Sequence, residues 1–202
     1  MERLECEDYL YPSDNGYEIP CLRLDRQAGN LILPFAPYGA GRRTKEARTI
    51  HFYVDDYRFS SLWKKPAKIF TYQASAIVEP NYSIFDTTPL AIGIYHIYRK
   101  RWLARYYQEC GLCVYADLNV SAKFTQLNMK GIPPGYNAFA TRGVCGRIND
   151  LERELSVARV ISQKRTPNFI VYGGGATIRD FCIRNSLLYI PDFMTAKFGK
   201  ND

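Results

Sequence analysis

The chain has 202 residues, of which 47% are hydrophobic and 14% are aromatic, and its net charge is +7. This composition supplies enough apolar surface for a buried core and excludes a globally disordered chain. No apolar run approaches the roughly 20 residues that a membrane-spanning helix needs. The acidic start, with Glu2, Glu5 and Glu7, does not resemble a secretory signal. We therefore expect a cytoplasmic protein with no membrane partner.

The positive charge is unevenly distributed along the chain. Residues 1–20 hold six acidic residues and one basic residue, so the remaining chain carries 26 basic and 14 acidic residues and a net charge of +12. A surface this basic attracts nucleic acid or another polyanion with an affinity that falls as salt is added. A basic surface without a dedicated partner is the alternative.

The first 47 residues have no regular pattern and predict an irregular N-terminal arm. This segment combines an acidic start with a loop rich in glycine and arginine, which contains Arg42 and Arg43. Loops of this composition are flexible and basic, so we expect the two arginines to contact a phosphate backbone or to be solvated. The regular pattern begins at residue 48 and predicts a single β/α domain over residues 48–202.

Six apolar runs in this domain predict strands, and predicted helices separate most of them. The strands are expected at residues 49–54, 75–78, 112–116, 137–140, 169–172 and 187–190, and the main helices at 86–109, 150–163 and 176–184. This alternation predicts an α/β fold with a largely parallel sheet of about six β/α units. Because a full eight-unit barrel needs about 250 residues, we expect a reduced or irregular barrel, with an open doubly wound sheet as the alternative.

Several segments resemble a known family. They are residues 51–59 (HFYVDDYRF), 80–90 (PNYSIFDTTPL), 95–108, 131–135 (GIPPG) and 171–173. The chain is similar in these segments to domain-of-unknown-function family 4417, which occurs in bacteria, phages and mobile elements. The resemblance implies a phage or mobile-element protein in a bacterial cytoplasm, and it implies no particular chemistry. The chain departs from the family pattern at Asn81, where an aspartate is expected.

Acidic residues follow three of the predicted strands. Asp55, Glu79 and Asp117 each lie at or just after a strand end, the edge at which parallel folds bind ligands. Carboxylates of neighbouring strands could hold Mg²⁺ or Mn²⁺, which would activate water for phosphodiester hydrolysis. We therefore predict these three residues as catalytic metal ligands. In the alternative, they cap helices or pair with arginines.

Basic residues suggest two further contacts. Arg142 follows the fourth predicted strand, where a guanidinium could hold a phosphate or form a buried salt bridge. Arginines of the long helix alternate with aromatic residues, an arrangement found in single-strand binding, although such an aromatic stripe more often packs against a sheet. The candidate nucleic-acid contacts on this helix are Arg99, Arg101 and Arg105.

A glycine-rich turn joins the fifth predicted strand to the next helix. Gly173, Gly174 and Gly175 could let backbone N–H groups approach an anion at the helix start, or could form a tight turn that requires positive φ. The turn lacks the lysine of a P-loop and the spacing of a dinucleotide-binding motif. It predicts a general phosphate site.

Cysteine usage indicates no disulfide framework. Six cysteines occur without a secretory signal, and the pair formed by Cys110 and Cys113 lacks the second pair or the histidines of a zinc site. We expect these thiols to be buried. Cys145, just past the fourth predicted strand, is the thiol expected at the surface, and no nearby base accompanies it.

Three functions are consistent with the sequence, and enzymatic activity is left open. The first is a divalent-metal-dependent nuclease, in which Asp55, Glu79 and Asp117 hold the metal and Arg142 holds the phosphate. The second is a DNA- or RNA-binding replication accessory protein without catalysis. The third is a β/α enzyme that acts on a phosphorylated or nucleoside ligand.

Overall fold

A computed structural model describes residues 9–193 and residue 196 of the chain. Within these residues, seven parallel strands form one sheet, and their order in the sheet is their order in the chain. The strands are β1 (Phe35–Pro37), β2 (Thr49–His51), β3 (Ala76–Val78), β4 (Cys113–Asp117), β5 (Phe139–Arg142), β6 (Phe169–Tyr172) and β7 (Leu188–Ile190). A sheet whose strands follow the order of the chain is typical of a barrel, because a doubly wound sheet reverses its strand order at a switch point. The predicted barrel-like α/β fold is confirmed.

The sheet curls into a half-barrel. The Tyr172 ring, at the end of β6, lies 5.8 Å from the Phe35 ring of β1 and 4.4 Å from the His51 ring of β2. Neighbouring strands are about 4.8 Å apart, so β1 and β6 would be separated by roughly 24 Å in a flat sheet. The contact between these rings therefore requires strong curvature, and the three rings fill the interior near the carboxyl ends of the strands.

Helices cover the outside of the sheet. They are α1 (Arg42–Glu46), α2 (Leu90–Glu109), α3 (Thr125–Asn128), α4 (Ile148–Ser162) and α5 (Gly175–Arg184). Helix α4 buries one apolar stripe at the spacing of an amphipathic helix, formed by Leu151, Leu155, Ala158 and Ile161. Short 3-10 helices between residues 56 and 71 replace a longer crossover helix between β2 and β3. None of the helices in the described part of the chain is long and apolar enough to span a membrane.

Residues 22–47, predicted as part of an irregular N-terminal arm, contribute a strand to the sheet and a short helix. Strand β1 pairs with β2, and α1 occupies the predicted flexible loop. Residues 22–30, here called the N-terminal floor, cross the amino-terminal ends of β4, β5 and β6. Long-range hydrogen bonds hold this irregular segment, and such bonds leave no periodic signal in a sequence. Residues 1–8, with most of the acidic start, lie outside the described part.

The hydrogen bonds of the N-terminal floor reach each of these three strands. The Ala28 amide donates to the Val114 carbonyl at 2.9 Å, and the Asn168 side-chain amide donates to the Gly29 carbonyl at 2.7 Å. The Gln27 side-chain oxygen accepts the backbone N–H of Asn137 at 2.6 Å, just before β5. These bonds satisfy backbone groups that would otherwise be left open at the base of the half-barrel.

Candidate functional site

A cavity of about 990 Å³ lies at the carboxyl ends of the strands. Its lining combines aromatic rings, amides, an arginine and a buried acid, which include Tyr53, Asn81, Arg142, Glu154 and Tyr172. The volume is at the upper end of the range of small-molecule sites. The cavity lies at the edge of the sheet at which the sequence predicts a site.

Two buried ion pairs lie beneath this cavity. The Arg101 guanidinium contacts the Glu79 carboxylate at 2.5 Å, and the Lys100 ammonium contacts the Asp117 carboxylate at 3.0 Å. All four side chains are at most 1% exposed. The Glu79 carboxylate also accepts the Asp117 backbone N–H at 2.9 Å, which joins the two pairs into one network. Each buried charge is thereby compensated, as a low-dielectric interior requires.

Neutral polar groups connect this network to the cavity. The Tyr53 hydroxyl and the Asn81 side-chain amide, which both line the cavity, donate to Asp117 at 3.1 and 2.9 Å. Burial, followed by the nearby Asp117 carboxylate, raises the pKa of Tyr53 well above its ordinary value of 10. Tyr53 is therefore a protonated donor at neutral pH. The Asn81 side-chain amide thereby helps to fix the Asp117 carboxylate.

The three predicted metal ligands do not come together. The Asp55 side chain is 73% exposed and lies 4.0 Å from Arg58, whereas Glu79 and Asp117 are buried in their ion pairs. Strand β2 ends at His51, so Asp55 belongs to the following loop and not to the strand edge. Among residues 9–193 and 196, no group of three or more histidine, cysteine or acidic side chains is arranged to hold a metal ion.

Arg142 lies at the end of β5, is exposed, and lines the cavity, as the sequence predicts for a ligand contact. Its guanidinium forms no ion pair with any carboxylate in the described part of the chain. The salt bridge that the sequence left as an alternative is therefore not formed with any of the described acids. Arg142 is a cation available to a ligand.

The glycine turn packs directly against the residue that follows Arg142. A Cβ atom on Gly143 would lie 2.4 Å from the Gly173 carbonyl oxygen, and one on Gly174 would lie 2.8 Å from the Gly143 carbonyl carbon. Gly173, Gly174 and Gly175 all have positive φ, so the tight-turn alternative describes their backbone correctly. Gly173 and Gly174 also line the cavity, so the turn places main-chain groups beside Arg142.

The arginines of α2 do not form the exposed nucleic-acid face that the sequence predicts. Arg101 is fully buried against Glu79, and Arg105 is 13% exposed and pairs with Glu109 at 2.7 Å. The Arg99 guanidinium stacks between the rings of Tyr82 and Tyr95, 4.1 and 4.6 Å from their centroids. These charges are occupied by partners inside the fold. Arg101 and Arg105 therefore lie inside the fold, and their contact with nucleic acid stays a prediction.

The two predicted arginines near α1 differ in their surroundings. Arg42 is 89% exposed and pairs with Glu46 at 2.6 Å. The Arg43 guanidinium lies 4.3 Å from the centroid of the Phe193 ring, which lines the cavity. Arg43 is therefore a second cation near the cavity, and Arg42 belongs to the outer surface.

Glu154 is a cavity residue that the sequence analysis missed. It projects from α4, is 5% exposed, and accepts a hydrogen bond from the Thr141 hydroxyl at 2.7 Å. Burial raises its pKa to about 8, so its side chain is mainly a neutral carboxylic acid at pH 7. One signal could have identified it, because Glu154 lies three residues after Leu151 and four before Ala158, on the apolar face of the helix.

The cysteines only partly follow the prediction. Cys182 is buried, and burial raises the pKa of its thiol to about 12. Cys110 and Cys145 are exposed, and Cys113 is partly buried. Burial of the Cys110 thiol is therefore a wrong prediction, since the residue follows the end of α2 instead of entering the strand. The Cys145 surface position is confirmed, and the residue lines the cavity.

Comparison with known proteins identifies the family. The model of the family described as Domain of unknown function (DUF4417) matches residues 11–187. The chain belongs to this family. The match includes the N-terminal floor and strands β1 to β6, and it ends just before β7.

Two phage proteins are similar to this DUF4417 chain. The Gene 1 protein of Mycobacterium phage L5 is 28% identical over 171 residues, which cover 81% of this chain and 74% of that protein. The Gene 1 protein of Mycobacterium phage D29 is 25% identical over 169 residues. This match covers 81% of the present chain but only 63% of the D29 protein, so the chain spans less than two thirds of that relative's length. No solved structure matches the chain.

Proposed function

We propose that this chain, as a phage or mobile-element protein, binds a phosphorylated nucleoside or sugar in the cavity at the carboxyl ends of its strands. The observation that carries the proposal is Arg142, an exposed cation that lines the cavity and has no carboxylate partner among the described residues. A guanidinium recognises phosphate through two parallel hydrogen bonds. This function corresponds to the third of the sequence hypotheses.

The surroundings of Arg142 support a phosphate at this end of the cavity. The Gly173–Gly174 turn leads into α5, a helix of ten residues whose amino terminus carries a partial positive charge. Arg43 adds a second cation on the same side, since its charge and that of Arg142 both contribute to lowering the pKa of His51. Two arginines and a helix start thus favour a doubly charged anion.

The remainder of the lining favours a ligand with hydroxyl groups and a ring. Asp86 and Asp192 also line the cavity, and carboxylates accept hydrogen bonds from hydroxyl groups such as those of a sugar. Tyr53, Tyr172 and Phe193 offer aromatic surface to a base. A phosphorylated nucleoside or sugar therefore satisfies this mixed lining better than inorganic phosphate does.

The buried ion pairs make the metal-dependent nuclease the weaker hypothesis. Glu79 and Asp117 neutralise Arg101 and Lys100, so binding of a divalent cation would have to break both pairs. Breaking a buried pair costs about 3–5 kcal/mol. Mg²⁺ or Mn²⁺ stays a proposed cofactor of that hypothesis, in which Asp55 would also have to move from its exposed loop.

The second candidate function is recognition of nucleic acid, and the observation that favours it is the net charge of +12 outside residues 1–20. A terminal phosphate of a nucleic acid presents the same chemistry to Arg142 as a free nucleotide does. A basic surface would strengthen binding of a polymer, with an affinity that depends on salt. Binding experiments with both forms distinguish the two sources.

The test measures binding by calorimetry to ribose 5-phosphate, AMP, CMP and inorganic phosphate, and to a single-stranded oligonucleotide with a 5′-phosphate or a 5′-hydroxyl. Arg142→Ala is the test variant, and Arg184→Ala, an exposed arginine at the opposite end of α5, is the matched control. We expect Arg142→Ala to weaken binding at least tenfold and the control to bind normally.

The outcomes separate the candidates. Binding of the free nucleotides or of ribose 5-phosphate supports the small-ligand function, and binding of the 5′-phosphorylated strand alone supports the nucleic-acid function. If none of these probes binds, or if the two arginine variants bind equally well, the proposed function is overturned.

A further inference from the structure

Glu154 differs from the other buried acids near the cavity. The Glu79 and Asp117 carboxylates each contact a buried cation, but the Glu154 carboxyl group accepts a hydrogen bond at Oε2 from the neutral Thr141 hydroxyl. The neighbouring Arg153 donates to the Asp150 carboxylate at 2.5 Å and to the Val120 carbonyl at 3.0 Å. Glu154 is therefore a buried acid without a compensating cation, at the wall of a cavity.

The elements packed around Glu154 determine its charge state. Asp117 of β4 and Asp150 of α4 disfavour a second negative charge, and Arg153 of α4 opposes them. Tyr53, in the loop after β2, is uncharged, and the Thr141 hydroxyl of β5 donates to the carboxyl group. Burial is the largest influence, and it keeps the proton on Glu154 at neutral pH.

We propose that Glu154 is a ligand-binding residue, and that its carboxylic acid donates a hydrogen bond to an acceptor atom on the sugar or base of a phosphorylated nucleoside. This inference rests on the proposed function and specifies the ligand further. The Thr141 hydroxyl donates to Oε2 of Glu154, so that bond does not use the acid proton, and the Glu154 side chain lines the cavity. A ligand that offers only donors at this position would be rejected.

A neutral acid also suits the charge of the ligand. An ionised Glu154 would repel a phosphate-bearing ligand and would leave its acceptor facing another acceptor. Binding should therefore require the protonated form, and affinity should fall once pH exceeds the pKa of Glu154, which is about 8. If only the protonated form binds, affinity falls about tenfold between pH 7 and pH 9.

The experiment measures binding of AMP and of CMP to the full chain by calorimetry at pH 7 and pH 9. The wild type is compared with Glu154→Gln, which keeps a donor but cannot ionise, and with Glu154→Leu, which keeps neither property. Circular dichroism and thermal melting establish that each variant is folded. Arg142→Ala is included so that the phosphate contact is tested in the same series.

We expect the wild-type affinity to fall about tenfold at pH 9, the Glu154→Gln affinity to change little, and the Glu154→Leu affinity to be low at both values. Arg142-dependent binding that is equally strong at both pH values overturns the inference and leaves the proposed function intact. An equal fall in the wild type and in Glu154→Gln also overturns the inference, because another group would then titrate. Absence of binding by both nucleotides overturns the inference together with the free-nucleotide form of the proposed function.

Discussion

Arg101 and Glu79 form an ion pair of 2.5 Å in which both side chains are completely buried. The second nitrogen of the guanidinium donates to the Asn128 carbonyl at 2.7 Å, so this arginine connects α2, β3 and α3. A buried pair of this kind contributes little net stability compared with apolar side chains, but each charge depends on the other. The pair therefore fixes the position of α2 beneath the cavity.

The first prediction concerns this dependence. Arg101→Met leaves the Glu79 carboxylate buried without its cation, so we expect a loss of about 3–5 kcal/mol in the free energy of unfolding. The double variant Glu79→Gln with Arg101→Met removes both charges and keeps an acceptor for the Asp117 amide, and it should lose less than Arg101→Met alone. Urea denaturation measures both. A single variant as stable as the wild type would contradict the prediction.

The second prediction concerns the close approach of two backbones. Gly143→Ala places a Cβ atom 2.4 Å from the Gly173 carbonyl oxygen, so the end of β5 must move away from the turn before α5. We expect a loss of about 1–3 kcal/mol in the free energy of unfolding. Gly16→Ala is the control, because its Cβ would have no neighbour within 4 Å. Equal stabilities of the two variants would show that the turn yields without cost.

The third prediction uses cysteines that the chain already has. Cys145 and Cys110 are both exposed, but they lie in different places. Cys145 lines the cavity, and Cys110 follows the last residue of α2. Bound AMP should slow alkylation of Cys145 by iodoacetamide, while the rate at Cys110 should not change. Cys182, buried and with its pKa raised to about 12, should stay unmodified in the folded chain. Mass spectrometry of peptides after timed labelling gives each rate, and equal protection of Cys110 would indicate a different binding place.

The fourth prediction concerns acid stability. The His51 ring stacks on Phe35 and packs at a tilt against Tyr172, and burial lowers the pKa of His51 to about 3 from an ordinary 6.5. Between these pH values the unfolded chain binds a proton that the folded chain does not. The contribution of His51 to stability is therefore full above pH 6.5 and is lost as the pH falls toward 3.

The fourth prediction is tested with His51→Phe, which keeps an aromatic ring and cannot titrate. Between pH 7 and pH 4, we expect the wild type to lose on the order of 3 kcal/mol more than this variant. Urea denaturation at several pH values measures the difference, and parallel curves would show that His51 is already protonated in the folded chain.

The sequence predicts strands β2 to β6 because most of their residues are buried, and it does not predict the three-residue strand β1. Strand β6 is predicted at its observed bounds, and helices α4 and α5 at most of theirs. Buried parallel strands are continuous apolar runs, which are distinct from the helices between them. The same reasoning predicts a site at the edge of the sheet where the cavity lies.

The charged residues of α2 show why the site itself is harder to predict. Lys100 and Arg101 are adjacent in the sequence and resemble a solvated face, yet both are buried. Their partners, Asp117 and Glu79, lie 17 and 22 residues away and on different strands. Only the three-dimensional pairing distinguishes a buried cation from a surface one. The N-terminal floor presents the same difficulty, because its bonds reach residues that are about 85–140 positions distant.

The N-terminal floor covers part of the half-barrel at the end opposite to the cavity. Residues 22–30 lie across the amino-terminal ends of β4, β5 and β6, and the rings of Phe35, His51 and Tyr172 fill the interior nearer the carboxyl ends. A ligand of the cavity is therefore expected to enter and leave at the carboxyl ends of the strands. Because the N-terminal floor obstructs passage past β4, β5 and β6, we expect a nucleic acid to present only a chain end or an unstacked nucleotide to the cavity.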